Sequence, residues 1–256
     1  LVRQAVAPPS EAQIENAFQA GTQELYKLGI TGIHDIRLMH DEDGARSFQI
    51  CQQLDRKKEL GLRCWMTFPG HQLDELIGLG LRSGFGNDRL RIGHVKFFSD
   101  GGMGARTAWM LEPFLDAGCG MVMVDMAELR NYIEKADRNG LAVMVHAVGD
   151  RANRELINLF SSLEEQRAQQ QGGAQPYYPH RIEHMQMLRP EDARRLRDIN
   201  LAVCVTPFNM ILDINLIDHA LGELGKWTYS FRRLFDTGAP IIFSSESTSR
   251  PYPDFI

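Results

Sequence analysis

The chain has 256 residues, 28 Lys and Arg against 33 Asp and Glu, a net charge of −5, and 43 % hydrophobic residues. That length can bury a large core, the mild acidity offers no electrostatic footprint for nucleic acid or an anionic membrane, and no apolar run approaches the roughly 20 residues of a spanning helix. The cysteines at 51, 64, 119 and 204 form no CxxC pair, zinc knuckle or disulfide framework, which fits a reducing, cytoplasmic compartment.

Ser10 to Leu28 reads as a helix. Ser10 and Gln13 make a capping-box pattern, Ile14, Phe18, Gly21, Leu25 and Leu28 share one face, and Gly29 stops it. Residues 30–35 follow as a short strand. Gly44–Leu60 is a helix ending at Gly61, 62–68 a strand, Leu73–Leu81 a short helix and 90–98 a strand. Ser99–Val124 is long and irregular. Met126–Asn139 is a helix closed by Gly140. Residues 141–146 form a strand, and Asp150 is placed to cap the helix that runs on towards Gln170. The polar run Gln169–Gln175 reads as a surface insertion. Residues 180–185 are a strand, Pro190–Asn200 a helix with Pro in its first turn, and 201–206 a strand followed by an irregular stretch. Lys226–Thr237 is a helix closed by Gly238, and 240–245 is the last strand.

Helices separate all seven strands, so the strands pair in parallel with both sheet faces covered. A closed (β/α) barrel and an open doubly wound sheet both fit that alternation. No G-x-G-x-x-G follows a strand, which argues for the barrel, and Gly101-Gly102-Met103-Gly104 lacks the Lys-Ser/Thr of a phosphate loop.

Barrel sites lie at the C-terminal ends of strands. The polar residues there are His34-Asp35, Lys96 to Asp100, His146, His184, Thr206 and Ser244-Ser245-Glu246. Two histidines, a lysine and acids on separate strands make a candidate metal constellation. Lys96 stands inside the apolar string Ile92 to Phe98, where an amine either snorkels to the rim or is desolvated and fit for modification or ligation. His180 and His184 are four apart, but a strand puts them at opposite ends, so His184 alone is the candidate ligand, with Arg181 and Glu183 as supports. Asp150 is an N-cap by default and Asp100 a turn residue. Met39, Met103, Met110, Met121 and Met123 suit either a pocket lining or the core.

The string Lys96-Phe97-Phe98-Ser99-Asp100-Gly101-Gly102-Met103-Gly104-Ala105-Arg106-Thr107-Ala108 resembles a hallmark of the metal-dependent amidohydrolases, nearest to the subgroup of N-substituted formamide deformylase. Val145 to Ala152, His180 to His184 and Gly29 to Asp35 are similar to three more motifs of that family, in the expected order. The resemblance implies a (β/α)8 TIM-type barrel with one or two divalent ions, zinc above all, hydrolysing non-peptide, amide-type C–N bonds of a small molecule through a metal-activated water. It implies that Lys96 is a carboxylated, metal-bridging lysine, that His146 and His184 are metal ligands, and that the strand-8 acid is both ligand and base.

Two features depart from the pattern. No H-x-H pair, implied on strand 1, occurs in the chain, and Glu246 stands where the resemblance implies aspartate. The strand count agrees with the first departure, because the opening helix is the one that follows strand 1. The expectation is therefore a partial barrel, strands 2–8 over residues 1–256, with strand 1, the final helix and a small β-sandwich outside it. Leu1 in place of an initiator Met, with no signal-peptide pattern, points the same way. Glu246 is the candidate catalytic residue and a metal ligand alongside Lys96, His146 and His184. Arg106 and Asp100 are the candidate substrate-contacting residues, although Arg106 suits a loop-bracing salt bridge equally well. Without strand 1 the piece should be inactive by itself, with exposed strand edges that favour association into a homo-oligomer. The alternative is a non-catalytic barrel serving as a binding or regulatory module.

Overall fold

A computed structural model of the chain describes residues 9–36, 44–169 and 176–245. The chain divides into two compact units, Leu1–Lys96 and Phe97–Ile256. Glu246 and Met39 lie outside the described residues, as do positions 170–175 of the expected insertion.

In the first unit, helix α1 (Glu11–Lys27) leads to strand β1 (Gly32–Asp35), α2 (Gly44–Lys57) to β2 (Arg63–Pro69), and α3 (Leu73–Gly78) to β3 (Leu90–Phe98), whose last two residues are counted with the second unit. The strand order is β1-β2-β3 and both pairings are parallel, Ile33 opposite Cys64 and Met66 opposite Ile92. The register shifts between Met66 and Phe68, which marks a β-bulge. Sequence chemistry sets the ends of α1. Ser10 Oγ accepts from Gln13 N while Gln13 Oε1 accepts from Ser10 N, the reciprocal cap its spacing predicts. Gly29, at φ 73°, turns the chain out of the helix. The predicted apolar face of α1 is only half-buried at Ile14 and Phe18, and Thr22 is its one buried residue. The unit's core instead joins Ile50 and Leu54 of α2 to Leu62, Met66, Leu76, Leu90 and Ile92. Burying such side chains is worth about 1.5–3 kcal/mol each against exposure.

In the second unit, α4 (Met126–Arg138), β4 (Val143–Ala147), α5 (Asp150–Gln169), β5 (His180–His184) and α6 (Pro190–Arg195) follow one another. After them come β6 (Leu201–Val205), α7 (Pro207–Ala220), α8 (Phe231–Thr237) and β7 (Ile241–Phe243). The order β4-β5-β6-β7 is again parallel throughout. The fold is α/β with all-parallel strands, a partial barrel of the (β/α)8 kind.

Four expectations need correction here. The stretch after β6 is helical rather than irregular: α7 scatters Asn209, Asp213, Asn215, Asp218 and His219 among its apolar residues, has no cap hydrogen bond from Thr206, and has several half-exposed side chains such as Ile211 and Ile214. A helix whose polar residues gather on no one face has no 3.6-residue pattern to read. The expected helix 226–237 is a 3-10 segment over Gly222–Trp227 and then α8, and the one predicted over 190–200 ends as α6 followed by a 3-10 turn at Leu196–Asp198. Asp150 opens α5 as its first helical residue instead of capping it, because its carboxylate is already engaged elsewhere. The segment Ser99–Val124 has no regular elements, yet it is well packed. Met103, Ala108, Met110 and Phe114 from it close a core with Val148, Met187, Ala220 and Leu221. That places Met103 and Met110 in the core, while Met121 and Met123 are exposed.

None of the four cysteines is in a disulfide; Cys51, Cys64 and Cys204 are buried and Cys119 is exposed. The neighbouring Cys51 thiol and burial push the Cys64 thiol up, and burial pushes Cys204 up to about 11.

Candidate active site

Strand pairing brings His146 and His184 together. β4 and β5 are neighbours with Ala147 opposite His184 and His146 opposite Glu183, so both histidines lie at the C-terminal ends of adjacent strands. Their ring centroids are 4.6 Å apart with the planes at 70°. Two imidazoles sharing one divalent ion at about 2.1 Å keep their centroids about 5 Å apart. The pair is therefore spaced as two ligands of one divalent ion would be. Among the described residues, no group of three or more His, Cys, Asp or Glu is placed to hold a metal.

His146 Nε2 lies 3.0 Å from the Gly101 carbonyl oxygen, which can only accept, so a hydrogen bond there calls for the proton on Nε2 and makes Nδ1 the lone-pair nitrogen of the neutral ring. Phe98 packs against the same ring at 5.3 Å. His184 has φ 72° and the next residue, Met185, φ 40°. Left-handed backbone at two successive non-glycine residues is a strain concentrated where β5 ends. It turns the chain sharply at the candidate ligand.

Asp100 is 1 % exposed. Its Oδ1 accepts from Val148 N at 3.0 Å, and its Oδ2 accepts from Gly149 N at 2.8 Å and Trp109 N at 2.9 Å. Burial pushes its carboxyl up to about 7 against the pull of those three donors. Oδ1 also lies 3.8 Å from His146 Nε2. Arg106, at φ 58°, makes a two-pronged ion pair with Asp116, both contacts at 2.8 Å. Its guanidinium thus braces the loop, one of the two roles its sequence position allowed. Lys96 lies on β3 in the first unit, opposite Pro69 and 4 % exposed. A lysine so deeply buried is rare without a partner. His180, at the far end of β5 from His184, is buried; its Nδ1 accepts from Val143 N at 3.0 Å, and its Nε2 lies 3.2 Å from Asp137. Arg181 and Glu183 form a buried ion pair at 2.8 Å.

Sequence reasoning missed two bracing roles. Asp150 accepts from Leu111 N at 2.8 Å and from Arg189 Nε at 2.6 Å, and Arg189 extends the link to Glu112. Asn153 is fully buried and donates its amide to the carbonyls of Val148, Gly149 and Met187. It stands one residue beyond the string Val145 to Ala152, and only that adjacency hinted at a role.

The sequence profile of the amidohydrolase family matches residues 1–255. Protein LONG AFTER FAR-RED 3 of Arabidopsis thaliana is 28 % identical over 242 residues, covering 91 % of this chain and 40 % of that protein. The crystal structure of an uncharacterized metal-dependent hydrolase from Pyrococcus horikoshii OT3 superposes with a TM-score of 0.80 at 26 % identity, over 95 % of this chain and 47 % of that one. Its counterpart from Pyrococcus furiosus gives 0.76 at 25 % identity, over 95 % and 48 %. The chain spans less than half the length of each of these proteins.

Proposed function

The chain belongs to the amidohydrolase family, and from that premise we propose that the protein it represents is a metal-dependent hydrolase of amide-type C–N bonds in small molecules. The observation that carries this reading is the convergence of His146 and His184 at the ends of two neighbouring strands. We assign these two imidazoles, Lys96 and Glu246 as the groups that hold one or two divalent ions, zinc being the ion that donor set suits best. A divalent ion there would supply a Lewis acid that polarises the substrate carbonyl and acidifies water.

The chain's own residues supply the rest. Lys96, deeply buried on its strand, serves as a ligand once its ammonium has given up a proton and the neutral amine adds CO2, releasing a second proton and leaving a carbamate anion. His146 keeps its proton on Nε2 through the Gly101 carbonyl, which commits Nδ1 to ligation. Glu246 takes the proton of the attacking water and returns it to the leaving amine. Asp100 and Arg106 act at the substrate's edge by holding the Ser99–Val124 loop, and Arg106 reaches substrate only when Asp116 releases it.

Elemental analysis of the full-length protein tests this directly. Bound divalent metal at stoichiometric level is expected, and loss of His146 or His184 should lower both metal content and amide hydrolysis by at least about 100-fold. Absence of any divalent ion would sink the proposal. A large gain of hydrolysis in Glu246→Asp would instead mark a degraded site and favour a binding role, whereas a loss would show that Glu246 is in use.

A further inference from the structure

The two residues after His146-Ala147 are held with unusual completeness. The N–H groups of Val148 and Gly149 both donate to Asp100, at 3.0 and 2.8 Å. Their carbonyls both accept from Asn153 Nδ2, at 3.4 and 2.9 Å. Two buried side chains therefore bond all four backbone polar groups of this dipeptide. Asn153 Nδ2 also donates to the Met187 carbonyl at 2.9 Å, and Met187 N donates to the Val148 carbonyl at 3.0 Å. Met187 lies three residues beyond His184. The dipeptide, Asn153 and Met187 thus tie the end of β4 to the end of β5.

Asn153 retains this role at a cost. Its Oδ1 is buried and finds no hydrogen-bond partner among the described residues. An orphaned buried acceptor is destabilising, and stability alone would favour a side chain without it. What only the amide supplies is a donor that reaches three carbonyls at once. Asp100 is linked to the histidine as well: the carbonyl of its neighbour Gly101 is the hydrogen-bond acceptor for His146 Nε2, and Thr107 Oγ1 holds that turn by accepting from Gly102 N at 3.0 Å.

We infer that Asp100 and Asn153 are positioning residues that clamp the Val148–Gly149 dipeptide and thereby fix the tautomer of His146 and its placement against His184. Neither side chain touches the reacting atoms. This inference rests on the reading of the two histidines as metal ligands, yet the tautomer can be read without any metal.

The test uses imidazole 15N NMR and zinc titration on the full-length protein and on the Asp100→Asn and Asn153→Ser variants, with circular dichroism to report folding. Neutral His146 in the unaltered protein must carry its proton on Nε2, and an Nδ1–H signal there overturns the inference whether or not either variant folds. In folded variants the Nε2–H signal should give way to a tautomer mixture, and zinc affinity should fall about 10–100-fold. Folded variants that keep both the Nε2–H tautomer and the affinity would refute the clamp. Failure of the unaltered protein to bind zinc, with the tautomer shift still seen in the variants, refutes the metal reading and leaves the clamp standing.

Discussion

At the scale of single residues, the site depends on close approaches that admit no extra atom. A Cβ on Gly149 would run into the Trp109 carbonyl, and one on Gly101 into the Thr107 side chain. Gly149→Ala should therefore displace the dipeptide that Asp100 and Asn153 hold, at a cost of about 1–3 kcal/mol in chemical denaturation. An unchanged midpoint would show that the close approach is not rigid. Asp150→Ala removes the carboxylate facing Arg189 at 2.6 Å and leaves a mostly buried guanidinium short of a partner, so a loss of about 3 kcal/mol is expected. The sequence offered Asp100 as a turn residue and a candidate substrate contact, and Asp150 as a cap. Among their actual partners, Val148, Leu111 and Arg189 lie 39–48 residues away. No local pattern contains such pairings, since only the fold brings these positions together.

At the scale of elements, β5 carries chemistry at one end and stability at the other. His180 sits at its start with Asp137 of α4 and Arg167 of α5, and Arg167 is bonded to Asp137 and 3.1 Å from His180. Burial holds the His180 imidazole below its ordinary 6.5, against the pull of Asp137. Burial works to raise the Asp137 carboxyl, but His180 and Arg167 outweigh it and hold it below its usual 3.8. Both groups bind protons more readily in the unfolded chain, so each stabilises the fold at neutral pH and withdraws that support as pH falls. The His180 contribution fades first, below 6.5, and the Asp137 contribution later, below 3.8. Asp100, held up to about 7, works in the opposite direction over the same range, so the His180 effect is read by comparison: from about pH 8 to about pH 5 the urea midpoint of the unaltered protein should fall relative to that of His180→Phe. Equal changes in the two proteins would contradict this account. The same scale shows where pattern reading works. α1 was legible to its capping box because capping is local, whereas α7 was not, since its run from Pro207 to Ala220 offers no contrast between faces.

At the scale of the whole molecule, the seven strands and their parallel order were legible from alternation alone, because a parallel crossover demands a helix-length connection. The candidate ligands on the second unit were legible from the rule that barrel sites gather at strand ends. The packed interior of Ser99–Val124 was not, because its core is built from single apolar residues with no period. The cysteine distribution also has a practical side. Three thiols are sealed in the interiors of the two units, while Cys119 is exposed between Gly118 and Gly120 on the loop whose other residues, Asp100 and Gly101, touch the His146 surroundings. A thiol reagent should therefore modify one cysteine quickly in the folded protein and all four in denaturant. Two or more fast reactions in the native state would show that the interior is more open than the structure describes. A fluorophore placed on Cys119 in this way reports on the loop from within the unaltered sequence, so loop motion during ligand entry becomes observable with no engineered cysteine at all.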